Sequence, residues 1–187
     1  MWKTYKYPAT CELMKEYTIE NGKVDIEKLR SKPLSKKGYI KAHKELVILC
    51  HDVFIQYNGG ILLVSRKNYP AKEFLWAIGG KIKRGVRLEE SLRNKVREEC
   101  GLKLKDIKEL GCARTFFNTD PFGHGKGTDT LNLVYFARGK GKLKLDSFHE
   151  TPMIVTRENY AEIKNSLHPY IKNFMDLALP LVNEENN

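Results

Sequence analysis

No CxxC pair and no histidine at zinc-ligand spacing accompanies the four cysteines, at positions 11, 50, 100 and 112. Neither a structural zinc knot nor a disulfide framework is therefore expected, and the thiols read as reduced. No apolar run reaches the roughly 18 residues of a membrane span. Met1-Trp2-Lys3-Thr4-Tyr5-Lys6 carries positive charge with no apolar stretch behind it, which predicts no secretory leader, no membrane partner and a cytoplasmic location. Internal repeats and low-complexity tracts are missing too. One region lacks acids altogether: Lys28, Arg30, Lys32, Lys36, Lys37, Lys41 and Lys44 follow one another without an Asp or Glu among them.

What is present is a chain of 187 residues, 41% apolar and 30% charged, with a mean hydropathy of −0.49. That composition excludes collagenous and disordered classes, and the length suits one core, since domains usually need about 100 to 150 residues each. Lys plus Arg number 33 against 23 acids, a net charge of +10 that suits an anionic partner. A nucleotide, a nucleic acid and an anionic surface all qualify. The basic run from Lys28 to Lys44 reads first as a solvated helical face.

Asp25 predicts the cap of a short helix through Leu29 and Arg30, and Ser35 the cap of a second, so residues 1–44 read as a helical N-terminal extension. The run LVILCHDVFIQ, the turn Asn58-Gly59-Gly60 and ILLVSR then predict a hairpin, with Asp52 interrupting the apolar pattern. Leu88, Leu92 and Val96 recur every four residues, and Gly101 stops that helix. Strands are expected at Ile107–Phe117 and Thr130–Arg138, joined by a Gly-rich loop in which His124 reads as part of a mobile polar segment. Short strands are expected at Leu143–Leu145 and Met153–Thr156, and helices at Arg157–Asn165 and Pro169–Leu179. Trp76, Phe116 and Phe117 read as core. The boundaries are 1–44 for the extension, 45–182 for the main domain and 183–187 for a disordered tail.

Gly80 to Leu102, GKIKRGVRLEESLRNKVREECGL, resembles the Nudix box: Gly, five residues, Glu, seven residues, Arg-Glu, an aliphatic, any residue, Glu-Glu, any residue, Gly, an aliphatic. Gly80, Val96, Glu98, Glu99, Gly101 and Leu102 agree with it. Val86 replaces the first Glu, Asn94 the Arg, and Lys95 the Glu one helical turn before Glu99. In the intact pattern, carboxylates at i and i+4 share a helix face and hold a divalent metal against a diphosphate, while the glycine lets backbone approach closely. Lys95 instead pairs with Glu99 or places a cation where the pattern has a metal ligand. An amphipathic helix accounts for Glu98 and Glu99 alone, but not for the Gly-Gly loop, the frame and the preceding hairpin together.

Residues 46–156 are similar to the GDP-mannose mannosyl hydrolase branch of that family. The resemblance implies an α/β/α Nudix sandwich with a mixed sheet. It also implies functional groups at Asp52 on the first core strand, Arg66 at the end of the second, Lys81 after the Gly-Gly, Glu99 in the box and His149 beyond the fifth strand. Arg66-Lys67-Asn68-Tyr69-Pro70-Ala71, seven residues ahead of Gly79-Gly80, resembles that branch's turn. Three positions depart from it: Lys81 stands for an Arg, Phe148 for a metal-binding Gln and Leu131 for a His.

The activity so implied is hydrolysis of a nucleoside diphosphate sugar, GDP-mannose-like, by water attack at the anomeric carbon with inversion. His149 would be the base, since an imidazole near pKa ~6.5 is largely neutral at pH 7. Arg66 and Lys81 would stabilise charge on the departing phosphate, and Asp52 would orient sugar hydroxyls or the arginine. Mg2+, for which Mn2+ substitutes, would bind Glu99, the Gly80 carbonyl and Glu98. A homodimer is implied as well. Two other classes stay open: a Nudix-fold module without catalysis that binds a nucleotide, or RNA through residues 28–44, and a nucleoside diphosphate pyrophosphohydrolase. Nucleic acid is the less favoured partner.

Overall fold

The computed structural model describes residues 14–18 and 22–183. Cys11, the start of the expected extension and residues 184–187 of the expected tail lie outside the described residues. Asn183 is described, and its backbone exchanges two hydrogen bonds with the Gln56 amide.

A mixed sheet forms the middle layer. Its strands are β1 (Ile48–Tyr57), β2 (Gly60–Arg66), β3 (Leu75–Trp76), β4 (Ile78–Lys81), β5 (Lys103–Phe117), β6 (Thr128–Lys140) and β7 (His149–Val155). The order is β3-β2-β1-β6-β5, with β4 also on β1 and β7 also on β2. β1 and β6 run parallel from Ile48 opposite Thr130 to Gln56 opposite Arg138, and the other pairs are antiparallel. β1 changes partner along its length: residues 50–53 face β4 and residues 55–57 face β2. That switch puts Gly79 opposite Asp52, while Arg66 at the end of β2 pairs with His149 of β7.

Strand alternation divides the core between two helical layers. Val53, Ile55, Leu62 and Val64 pack with Leu92, Val96 and Cys100 of α2 (Leu88–Cys100), whereas Phe54, Ile61 and Leu63 pack with Ile171, Phe174 and Met175 of α4 (Pro169–Ala178). Leu92 and Val96 are completely buried, as their four-residue spacing demands, and Gly101 adopts the left-handed conformation (φ 75°) that ends α2. Pro169 starts α4, and α3 (Arg157–Ile163) opens on a Thr156–Asn159 capping box.

Ahead of the sheet, Asp25 caps a 3-10 turn at Ile26–Leu29 through the Glu27 amide, and Ser35 caps α1 (Lys36–Glu45) through Gly38 N. Arg30 does not face water alone: it donates to the Gly85 carbonyl and pairs with Glu90, tying this segment to the loop before α2.

Three expectations are corrected. Leu143–Leu145 is not a strand, because its backbone serves the end of α2: Lys144 N donates to Cys100 O and Asp146 N to Glu99 O, carbonyls the helix leaves without partners. Phe116 is exposed beside Arg114, since Phe117 takes the inward face and neighbours on a strand point oppositely. His124 is buried and held, as described below. No helix among the described residues is long and apolar enough to cross a membrane.

Candidate active site

A cavity of about 660 Å³ opens where β1, β2, β4 and β7 meet, and Asp52, Arg66, Gly80, Lys81, Glu99 and His149 all line it. Of the residues expected to be catalytic, substrate-binding or metal-binding, Glu98 alone is not among its walls. Glu98 pairs instead with Lys83 (2.9 Å) and Lys95 (3.5 Å) at the half-exposed outer face of α2.

β1 delivers Asp52 to the floor. Asp52 lies opposite Gly79, and a Cβ on Gly79 would collide with the Asp52 carboxylate, so only glycine permits this pairing. The Tyr170 hydroxyl, from α4, donates to Asp52 Oδ2 at 2.6 Å. Burial pushes the Asp52 carboxyl up to about 6, against the downward pull of Tyr170 and Arg66.

β2 and β7 place Arg66 directly across the ladder from His149. Arg66 donates weakly to Asn68 Oδ1 at 3.4 Å, while its buried Nε has no partner among the described residues. A buried guanidinium nitrogen without an acceptor is costly, and an anion entering the cavity would relieve it. His149 Nδ1 lies 2.8 Å from Asp146 Oδ1, and its Nε2 lies 4.0 Å from Glu99 Oε2. Burial lowers the imidazole's pKa and outweighs Asp146, so the neutral ring donates from Nδ1 and keeps Nε2 free to accept a proton. Lys81 lies over the Tyr39 ring at 3.9 Å, on the cavity's rim.

Glu99 enters from α2. Its Oε2 accepts the Gly79 N–H at 3.3 Å, its Oε1 is 3.5 Å from Lys95 Nζ, and burial raises its carboxyl to about 7. The donors expected for Mg2+ do not fit that ion. Lys95 Nζ lies 3.5 Å from both Glu98 and Glu99, and its Cε lies 3.4 Å from where a Gly80 Cβ would stand. One ammonium thus contacts both expected carboxylate ligands, while the Lys95 stem passes beside Gly80. A divalent ion at these carboxylates would meet the like charge of the Lys95 ammonium, which already pairs with both. Among the described residues, no three His, Cys, Asp or Glu side chains converge to hold a metal.

Three features were not visible in the sequence. Asp146, the residue after the segment expected to be a strand, orients His149. Thr115, Thr130 and Asn132 form a hydrogen-bonded ladder along another wall, with the threonine hydroxyls 2.6 Å apart. His43, on α1, bonds His124 through Nδ1 and Nε2 at 2.9 Å, and Phe122 packs edge-on against both Tyr39 and His43. The Gly-rich loop is anchored as well: Asp120 accepts from the amides of Phe122, His124 and Gly125. α1 and this loop together close one side of the cavity.

A family model of the NUDIX domain matches residues 51–176, and the chain belongs to the Nudix family of hydrolases. It is 26% identical over 129 residues to the low-salt glycan biosynthesis protein Agl8 of Haloferax volcanii, covering 67% of this chain and 78% of that protein. To an ADP-ribose pyrophosphatase of Methanocaldococcus jannaschii it is 31% identical over 96 residues, 50% of this chain and 56% of the other. The fold is similar to that of a NUDIX-family hydrolase from Clostridium perfringens, with TM-score 0.56, 16% identity, and coverage of 72% of this chain and 97% of that one. The corresponding values for a MutT NUDIX hydrolase from Burkholderia pseudomallei are 0.54, 18%, 71% and 98%. Nudix hydrolases generally use divalent metals such as Mg2+, which makes the position of Lys95 a departure within the family.

Proposed function

We propose that the protein hydrolyses a nucleoside diphosphate sugar, GDP-mannose-like, releasing the nucleoside diphosphate and the inverted free sugar. The observation that carries this reading is the Asp146–His149 pair facing the cavity directly across the β2–β7 ladder from Arg66. His149 Nε2 takes a proton from a water as the water oxygen bonds to the anomeric carbon. The bond from that carbon to the diphosphate oxygen breaks, and its electron pair leaves with the diphosphate. Arg66 and Lys81 neutralise the added charge, with Arg66 Nε gaining the acceptor it lacks. The buried Asp52 carboxylate supplies Arg66 with a nearby counter-charge. One box carboxylate in the cavity suffices for attack at carbon, which supports this chemistry over attack at phosphorus. The similarity to a glycan biosynthesis protein agrees with a sugar substrate.

Products decide the matter. Phosphorus and proton NMR with GDP-mannose, GDP-glucose, UDP-glucose and ADP-ribose should show an intact nucleoside diphosphate and an inverted sugar, and His149→Ala should lower kcat by about 10²- to 10⁴-fold. A second reading, pyrophosphate cleavage, draws on the similarity to an ADP-ribose pyrophosphatase. A nucleoside monophosphate plus a sugar phosphate would establish it instead. Ligand binding without any turnover would point to a noncatalytic module.

A further inference from the structure

Lys95 is a charged group beside the cavity, paired with the cavity-lining Glu99, that the reaction above leaves unused. It stands one helical turn before Glu99, with 20% of its side chain exposed, against 12% for Glu99. Helix stability does not account for it. A Lys placed N-terminal to a Glu at i,i+4 is the weaker orientation of such a pair, and the same contact at the surface contributes little. Its surroundings account for it better. Its ammonium touches Glu98 and Glu99, and its stem crosses Gly80, the set expected to grip a divalent ion. Burial first, and the Lys95 charge after it, disfavours the protonated forms of Lys81 and His149.

We infer that the Lys95 ammonium takes the place of the divalent cation, neutralising Glu99 in the free protein and, with Arg66 and Lys81, a bound diphosphate, so that binding and turnover proceed without added metal. A lysine is a compact point charge on a flexible four-carbon stem, able to shift from a carboxylate to an incoming phosphate oxygen. Three side-chain cations then face a leaving group of two to three negative charges. The choice of a diphosphate ligand rests on the proposed function. The exclusion of a metal from Glu99 does not.

The test uses the full chain, stripped with EDTA, in three forms: wild type, Lys95→Met, which keeps the stem, and Lys95→Glu, which restores the i,i+4 carboxylate pair. Mn2+ titration followed by electron paramagnetic resonance should show no site in the wild type and one site in Lys95→Glu. Calorimetry with GDP should give the wild type the same affinity, within about twofold, in EDTA and in Mg2+. Lys95→Met should bind GDP at least about tenfold more weakly in both, and Lys95→Glu should bind weakly in EDTA and recover in Mg2+. Wild-type turnover should survive EDTA. A stoichiometric Mn2+ site in the wild type, or GDP affinity and turnover that collapse in EDTA and return with Mg2+, would overturn the inference. Thermal melts of the variants report folding. If no nucleotide sugar is turned over under any condition, the functional proposal fails while the Mn2+ titration still decides the role of Lys95.

Discussion

Asp52 shows at the scale of one residue how a site is built at a cost to the fold. Its carboxyl is buried within a strand whose following neighbours, Val53, Phe54 and Ile55, are wholly apolar and inaccessible. With its pKa raised to about 6, against about 3.9 for the unfolded chain, the folded state holds that proton more tightly. Stability therefore falls as pH rises from about 4 to about 6 and is level above. The full shift corresponds to about 3 kcal/mol at pH 7. Asp52→Asn keeps a group for the Tyr170 hydroxyl and removes the charge, so it should raise the unfolding midpoint at pH 7 by several degrees, with the gain vanishing by pH 4. Activity should fall, because Arg66 loses its counter-charge. Thermal melts at the two pH values check this, and a lower midpoint at pH 7 would mean that the Tyr170 hydrogen bond and the attraction of Arg66 outweigh the burial of the charge.

Elements whose signal is local were legible in the sequence. The four-residue spacing of Leu88, Leu92 and Val96 and the left-handed Gly101 delimit α2, and Asn58-Gly59-Gly60 announces the β1–β2 hairpin. Pairings that join distant segments were not. Tyr170 reaches Asp52 across 118 positions, His43 reaches His124 across 81, and the parallel β1–β6 ladder leaves no mark in either strand. The box frame brought out Glu99 and Gly80, and its i,i+4 spacing brought out the Lys95–Glu99 pair, but the approach of the Lys95 stem to Gly80 left no sign in it. The His43–His124 contact carries its own prediction. It joins α1 to the loop of residues 118–127, and one buried hydrogen bond is worth about 0.5 to 1.5 kcal/mol. His43→Ala should therefore raise KM for the nucleotide sugar up to about tenfold while kcat stays within about twofold. Burial and the neighbouring His124 lower the His43 pKa, so the contact persists at neutral pH and fails as pH drops through the range where His43 gains its proton. Wild-type KM should rise in acid, and the variant's should change little. Steady-state kinetics from about pH 5 to 8 would expose a purely structural role as an equal loss in kcat and KM at every pH.

Taken as a whole, the molecule carries a net charge of +10, and its strongest local excess lies beside the cavity mouth. On α1, Tyr39 and His43 line the cavity, whereas Lys37, Lys41 and Lys44 are exposed at i, i+4 and i+7. The stripe makes no ion pair with a described residue that would cancel it, so it projects positive potential into solvent near the entrance. For an anionic substrate such a field raises the encounter rate and leaves the bound complex nearly unchanged. Raising NaCl from about 50 to about 500 mM should lower kcat/KM several-fold with kcat almost constant, and Lys37→Glu combined with Lys41→Glu and Lys44→Glu should flatten that dependence. The same variant separates the two uses of a basic surface. If residues 28–44 instead formed an RNA site, filter binding would give a log–log salt slope of about 0.7 per phosphate contacted, lost on charge reversal, while the salt response of kcat/KM stayed as in the wild type. A steering field predicts the reverse pattern, because its effect on the small substrate disappears when the three charges are reversed and no RNA complex is there to lose.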